Sequence, residues 1–240
     1  MYLREEILLD LILEGNIPVS EMAAFVTPGV KKHLKNTPLV SKKELLDTAE
    51  PGDILVTFTP KRKLSKSTFT NIKAKLMTLA QGSPFTSSKL VFNNKTIAGY
   101  DAAPRTGINV LQSSNIDNFV NRWIQEAMLI RPIGRTEAHV KGVQSYFRQR
   151  FGIAYNKDQV MNSSWKRLYK KIFPFLRKET ELTPKQLGEI REPLFCSNII
   201  AVAYRSAGYR KSLSKVIYDT WPRDFIISPN TEKICRIEYT

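Results

Sequence analysis

The chain has 240 residues, and 37 Lys and Arg against 22 Asp and Glu give it a formal net charge of +15. With 42% hydrophobic and 10% aromatic residues, the composition excludes an intrinsically disordered chain and is sufficient for one substantial core. The excess of cations is compatible with a nucleic acid, an anionic membrane or an acidic protein surface as partner, because clustered Lys and Arg are attracted to polyanions. Charge alone does not choose among these partners.

The sequence predicts a soluble chain without a targeting segment. No window approaches the roughly 18 uncharged apolar residues of a membrane span. The amino-terminal run carries Arg4, Glu5, Glu6 and Asp10 where a signal peptide would be apolar. We therefore expect a cytoplasmic or virion-associated protein in a reducing compartment, where thiols stay free.

Few side chains in the sequence are typical metal ligands. The two cysteines, Cys196 and Cys235, and the two histidines, His33 and His139, fit no metal-binding spacing. The sequence therefore predicts no metal site, and it suggests no cofactor.

Residues 1–48 are predicted to form a helical extension in front of a main domain at 49–240. Apolar residues within 3–12 recur at the three-to-four spacing of an amphipathic helix. Ser41, followed three residues later by Glu44, is a capping box that predicts the start of a second helix.

The middle of the chain is predicted to be rich in strands, with helices before and after. The predicted strands are short apolar runs bounded by turn residues, and a turn at Asn93-Asn94 joins two of them into a hairpin. These strands are 54–58, 89–92, 96–100, 107–111 and 127–130. Helices are predicted over 65–79 and 136–150. This arrangement indicates an α+β fold.

Two further segments near the carboxyl terminus are predicted from their composition. Residues 165–178 mix six basic residues with aromatic and aliphatic ones, interrupted by Pro174. That pattern fits either a helix with its aromatic face on the core or a membrane or partner surface. Another helix is expected to begin at 194–197 and to end at Gly208, a typical carboxyl-terminal cap.

Cys196 lies at the predicted amino terminus of this last helix. Unpaired backbone N–H groups and the positive end of the helix dipole stabilise a thiolate there, so Cys196 is a candidate nucleophile. A buried cysteine at a helix start is nevertheless more often a small hydrophobic residue. Cys235, in an apolar strand-like run, is expected in the core.

Five short motifs occur in the order typical of one known family. They are Gly52-Asp53-Ile54-Leu55, Gly82-Ser83-Pro84-Phe85-Thr86, Gly152 to Tyr155, Phe195 to Tyr204 with Ala207-Gly208, and Pro222-Arg223-Asp224-Phe225 with Ser228-Pro229. Over roughly residues 44–238 the chain resembles the circularly permuted NlpC-type papain-like family. The resemblance implies a permuted papain-like fold with a central antiparallel sheet flanked by helices. It also implies cysteine hydrolysis of amide or peptide bonds, often in bacterial cell walls, and some relatives act on lipid acyl groups.

The resemblance also implies roles for individual residues. Cys196 matches the nucleophile, and Asp101 falls near the residue that orients the catalytic histidine, although Asp101 is equally compatible with a turn at the end of the hairpin. The histidine itself follows the Gly-Ser-Pro-aromatic-small motif, and that position is Ser87. A hydroxyl neither accepts a proton near neutral pH nor offers a positive charge to a thiolate. The standard dyad is therefore broken.

Two explanations for Ser87 stay open, namely natural loss of activity with retention of the fold, and an engineered substitution. Lys89 favours natural loss, because the family has small apolar residues at this point of the strand. His139 is expected in a helix on the far side of the site and His33 in the extension, so neither is expected to replace the missing base.

These observations lead to two functions of different classes. The broken dyad favours a non-catalytic relative that serves as a structural or binding component of a larger assembly, such as a phage virion, with other proteins as partners. The alternative is a cysteine hydrolase acting on cell-wall peptides or acyl amides, with Cys196 as nucleophile, Asp101 as orienting residue and an unidentified base. Binding of nucleic acid through the basic surface is a third interpretation, which depends on charge alone.

Overall fold

The computed structural model describes residues 27–58, 83, 85, 87–102, 109–123, 126–155, 196–214, 217 and 220–238. The helices predicted over 3–12, 65–79 and 165–178 lie outside these residues. Within the described part of the chain, no helix combines the length and the apolar character that crossing a bilayer requires.

Helices and strands alternate irregularly along the described chain. In order they are α1 (Pro28–Asn36), α2 (Lys42–Thr48), β1 (Ile54–Phe58), β2 (Ser87–Asn93), β3 (Thr96–Ala102), β4 (Asn109–Asn115), α3 (Ile116–Trp123), β5 (Glu126–Pro132), α4 (Glu137–Arg148), α5 (Cys196–Ser206), α6 (Pro222–Ile227) and β6 (Thr231–Ile237).

The strands form one six-stranded sheet in the order β4-β3-β2-β1-β5-β6, and every neighbouring pair is antiparallel. The short apolar strand β1 lies between β2 and β5, which is why Ile54, Leu55 and Val56 are all fully buried. The α+β class and the antiparallel sheet predicted from the sequence are confirmed.

Helices cover both faces of the sheet, because side chains along a strand point alternately to opposite faces. On one face, residues such as Val56, Leu90 and Met128 pack with residues of α1, α4, α5 and α6. On the other face, residues such as Leu55 and Val91 pack with residues of α2 and α3. The two cores therefore lie on either side of one sheet.

The described part of the predicted extension packs directly on this sheet. The Ser41 hydroxyl accepts a hydrogen bond from the Glu44 amide at 3.2 Å, and the Glu44 carboxylate accepts one from the Ser41 amide at 2.8 Å, so the predicted capping box is confirmed. Val30 of α1 and Leu45 of α2 are fully buried, one in each core. Residues 27–48 thus contribute to both layers.

The observed elements differ most from the prediction between residues 107 and 123. Strand β4 covers Asn109–Asn115 rather than 107–111, because its polar second half pairs with β3 as far as Asn115 opposite Thr96. Helix α3 was not predicted at all. Asn115 accepts a hydrogen bond from the Asn118 amide at 2.9 Å, and this cap together with the buried Ile116 and Val120 accounts for the helix.

Helix α5 packs on β2 and α4 and is held at its carboxyl-terminal end. It is followed by Gly208 with a φ of +84°, as predicted for the cap. The Tyr204 hydroxyl donates a hydrogen bond to the Gly52 carbonyl, just before β1. Cys235, at 3% exposure, lies in the core as predicted, and burial raises the pKa of its thiol to about 11.

Candidate functional site

The amino terminus of α5 lies over the beginning of β2. Cys196 is the first residue of the helix and is 7% exposed. Its sulfur lies 3.8 Å from the Ser197 hydroxyl, which in turn lies 2.9 Å from the hydroxyl of Ser88 on β2. The two buried hydroxyls therefore fix the helix start against the strand and hold the Cys196 side chain at that end of the sheet.

Two tyrosines line the same end of the sheet. Residues 151–155 run beside β4, where Ala154 forms a bridge with Val110, and this places the Tyr155 ring 5.0 Å from the Tyr100 ring in an edge-on contact. Burial, followed by the neighbouring Cys196 and Tyr100, raises the pKa of Tyr155 well above its ordinary value. Cys196 and the two tyrosines thus lie within electrostatic range of one another.

A buried ion pair joins β2 and β3 on the face of the sheet that α3 covers, opposite to the face that α5 covers. The Lys89 ammonium lies 2.7 Å from a carboxylate oxygen of Asp101 and donates a second hydrogen bond to the Tyr100 carbonyl at 3.3 Å. Its side chain is only 3% exposed, and the Phe119 ring lies 4.6 Å from the ammonium. Asp101 also accepts a hydrogen bond from Ser114 at 3.4 Å.

Among the described residues at this end of the sheet, Lys89 is the one cation whose side chain is almost fully buried. Burial lowers the pKa of Lys89, while the Asp101 carboxylate and then Cys196 act to raise it. While Asp101 holds the protonated amine, Lys89 has no lone pair with which to accept a thiol proton. The carboxylate that the resemblance implies for orienting a histidine is therefore bound to a lysine instead.

Ser87, at the position implied for the catalytic histidine, is the first residue of β2 and is half-buried. It pairs across the sheet with Thr57. No hydrogen bond joins its hydroxyl to Cys196, and strand alternation places it on the same face of β2 as Lys89, opposite to Ser88. Ser88 is therefore on the face of the sheet that carries Cys196, whereas Ser87, Lys89 and Asp101 are on the opposite face.

Both histidines of the chain lie away from Cys196. His139 is in the first turn of α4, where its ring accepts a hydrogen bond from the Thr136 amide at 3.1 Å and packs edge-on against Tyr209, 5.5 Å between centroids. Tyr209 follows the carboxyl-terminal end of α5, and Cys196 is at the other end, about 15 Å away at 1.5 Å per residue. His139 therefore cannot serve Cys196 as a base.

His33 is also remote from Cys196, as its neighbour Lys233 shows. It belongs to α1, and burial lowers its pKa, followed by the charges of Lys233 and Lys32. Lys233 is on β6, three strands away from β2, which corresponds to about 14 Å across the sheet.

Nowhere among the described residues do three or more His, Cys, Asp and Glu side chains form a group that could hold a metal ion.

Sequence analysis missed the pairing of Lys89 with Asp101, although one signal was present. Gly99 lies on β3 directly opposite Lys89, and a Cβ atom at this position would come within 2.9 Å of Lys89 Cγ. A glycine inside a strand often marks a close approach of another group, and here that group is the aliphatic part of the lysine. Ser88 and Ser197 carried no comparable signal.

A comparison of the chain with models of known protein families finds no match, and a comparison with curated proteins finds none either. The interpretation of the site therefore depends on its geometry and on the motifs in the sequence.

Proposed function

We propose that the chain is a permuted papain-like protein without hydrolase activity, comprising a helical extension at 1–48 and a papain-like domain at 49–240. We propose further that it serves as a structural or binding component of a larger assembly, such as a phage virion. The antiparallel sheet, the helix that starts at Cys196 and the order of the motifs support the family assignment. The pairing of Asp101 with Lys89 rather than with a base supports the loss of activity.

The observation that carries this proposal is the Lys89–Asp101 ion pair. In a cysteine hydrolase a neutral imidazole takes the proton of the thiol and a polar residue orients that imidazole. Here Asp101 neutralises a buried cation at 2.7 Å, so it is not free to orient a base. Both histidines are held in other parts of the fold.

A cysteine hydrolase acting on cell-wall peptides or acyl amides is the second candidate. One observation favours it, namely that the Cys196 sulfur lies at a helix amino terminus beside Tyr155 and within electrostatic range of Lys89. A nearby cation and a helix amino terminus both favour a thiolate. This candidate still lacks a group that returns the proton to the leaving amine.

The variants Cys196→Ala and Ser87→His separate the two functions. We expect neither to change the turnover of peptide and acyl-amide substrates, and neither to change the sedimentation of the chain within its native assembly. Loss of turnover in Cys196→Ala would contradict the proposal and would establish the hydrolase. Sedimentation of the native chain as a free 240-residue monomer would contradict the role in an assembly.

A further inference from the structure

Several lysines lie on α1 and α2, the two helices joined by a segment that is hydrogen-bonded to the edge strand β6. Residues 27–43 contain five lysines and no acidic residue. We call these lysines the basic strip, and they are Lys31, Lys32, Lys35, Lys42 and Lys43. Four of the five are exposed and Lys42 is half-exposed. None of them forms an ion pair with another residue that the structure describes.

The elements that carry the basic strip are firmly attached to the domain. Helix α1 is anchored by the fully buried Val30 and packs on α6. The following segment is hydrogen-bonded to β6, since the Val40 amide donates to the Arg236 carbonyl and the Arg236 amide donates to the Pro38 carbonyl, each at 2.9 Å. The lysines are therefore held in place before any partner arrives, which reduces the entropy lost on binding.

Without a bound partner, the positive charges of the basic strip repel one another and the positive end of the α2 dipole. Lys42 and Lys43 occupy the first turn of α2, where the positive end of the helix dipole repels cations. The pKa of His33 is lowered by burial and then by the charges of Lys233 and Lys32. An anionic partner would relieve this repulsion.

The exposed side chains of the strip suit phosphate groups better than a bilayer interior. A helix that lies in a membrane surface presents its apolar face to the lipid. In α1 the apolar residues Val30 and Leu34 instead pack into the core. Within 27–43, the exposed large hydrophobic residue is Leu39, at 56%, and a single such residue is ordinary for a protein surface.

From these observations we propose that the basic strip is an interaction surface for the phosphate backbone of a nucleic acid, bound without regard to base sequence. Lysine ammonium groups bind phosphates as point charges, and release of condensed counterions drives such binding. The proposal concerns residues other than those around Cys196 and holds whether or not that site is catalytic.

The test measures the affinity for a fluorescent duplex DNA and for a single strand of equal length as a function of salt. The first variant is Lys31→Gln with Lys32→Gln and Lys35→Gln. The matched control is Lys95→Gln with Arg210→Gln and Lys211→Gln, which removes the same charge from other exposed positions. We expect the slope of log affinity against log salt to fall by about 2.7 in the first variant, at about 0.9 for each phosphate contact on duplex, and to stay near the wild-type slope in the control.

A second variant excludes loss of folding as the cause. Lys42→Gln with Lys43→Gln removes two cations from the positive end of α2, so we expect a melting temperature that is unchanged or raised while the slope falls by about 1.8. Equal losses in the α1 variant and the control would overturn the proposal, since binding would then depend on net charge alone. Negligible binding of both probes at low salt, or binding to vesicles of anionic phospholipid without binding to either probe, would also overturn it.

Discussion

A buried lysine is costly unless its charge is compensated, and in this protein Asp101 provides the compensation. The ammonium of Lys89 also donates to a backbone carbonyl and lies against an aromatic ring. Gly99 leaves room for the aliphatic part of the lysine. These contacts account for a lysine in the interior of a sheet, where small apolar residues were expected.

The lowered pKa of Lys89 predicts how stability depends on pH. Between that lowered pKa and the ordinary value of 10.5, the unfolded chain binds more protons at this position than the folded chain. The free energy of unfolding contributed by Lys89 should therefore rise with pH across that window. We expect the difference in free energy of unfolding between wild type and Lys89→Met to grow as the pH is raised toward 10.5, measured by denaturant titration.

Lys141 provides the control for this experiment. Its side chain is 72% exposed and forms an i, i+4 ion pair with Glu137, so Lys141→Met should show no comparable trend over the same pH range. Parallel pH profiles of wild type and Lys89→Met would mean that burial of Lys89 imposes no protonation cost, and the description of the ion pair would be wrong.

At the scale of elements, Asp53 joins the start of β1 to the end of β5 and to the segment before α4. Its carboxylate is fully buried and accepts hydrogen bonds from Arg131 at 2.9 and 2.8 Å and also one from Arg135. Glu50, which is 57% exposed, binds the same two arginines from the solvent side. The network therefore has one buried acceptor and one exposed acceptor.

This difference in burial predicts unequal effects of two similar substitutions. Asp53→Asn leaves two arginines without their buried counter-charge, so the free energy of unfolding should fall by about 3 to 5 kcal/mol. Glu50→Gln removes a screened surface charge and should cost about 1 kcal/mol or less. Denaturant unfolding of both variants measures the two values. Equal costs would show that the network behaves as a surface ion pair.

Elements with strong local signals were predictable from the sequence. The Ser41 capping box, Gly208 after α5 and the apolar run of β1 each determine structure within a few residues of themselves. The polar half of β4 and helix α3 were not predictable in this way, because pairing with β3 and the Asn115 cap determine them. Strand order likewise depends on contacts between residues that are far apart in the chain.

In the candidate site, too, local features were predictable from the sequence and contacts between distant residues were not. Cys196 could be located because a helix start is a local feature. The partner of Asp101 could not be identified, because the approach of Lys89 to Asp101 requires the register between β2 and β3. The sequence indicated that Ser87 leaves the dyad without its histidine, and the structure adds that Asp101 is paired with Lys89.

At the scale of the whole molecule, the Cys196 thiol and the basic strip lie next to different strands of one sheet. Helix α5 begins with Cys196 over β2, whereas the segment that carries the strip is hydrogen-bonded to β6. The three strand spacings between β2 and β6 amount to about 14 Å. The basic strip and the Cys196 site share no residue, so the two can be tested with separate variants.

The central claim is that Cys196 lacks the environment of a catalytic nucleophile, and its rate of alkylation tests this without knowledge of a substrate. Cys235→Ala leaves Cys196 as the sole thiol, and mass spectrometry then follows its labelling by iodoacetamide at neutral pH in the native chain and in the unfolded chain. With Cys196 only 7% exposed and no imidazole beside it, we expect slower labelling in the native chain than in the unfolded chain. Faster labelling in the native chain would reveal an activated thiolate and would contradict the account.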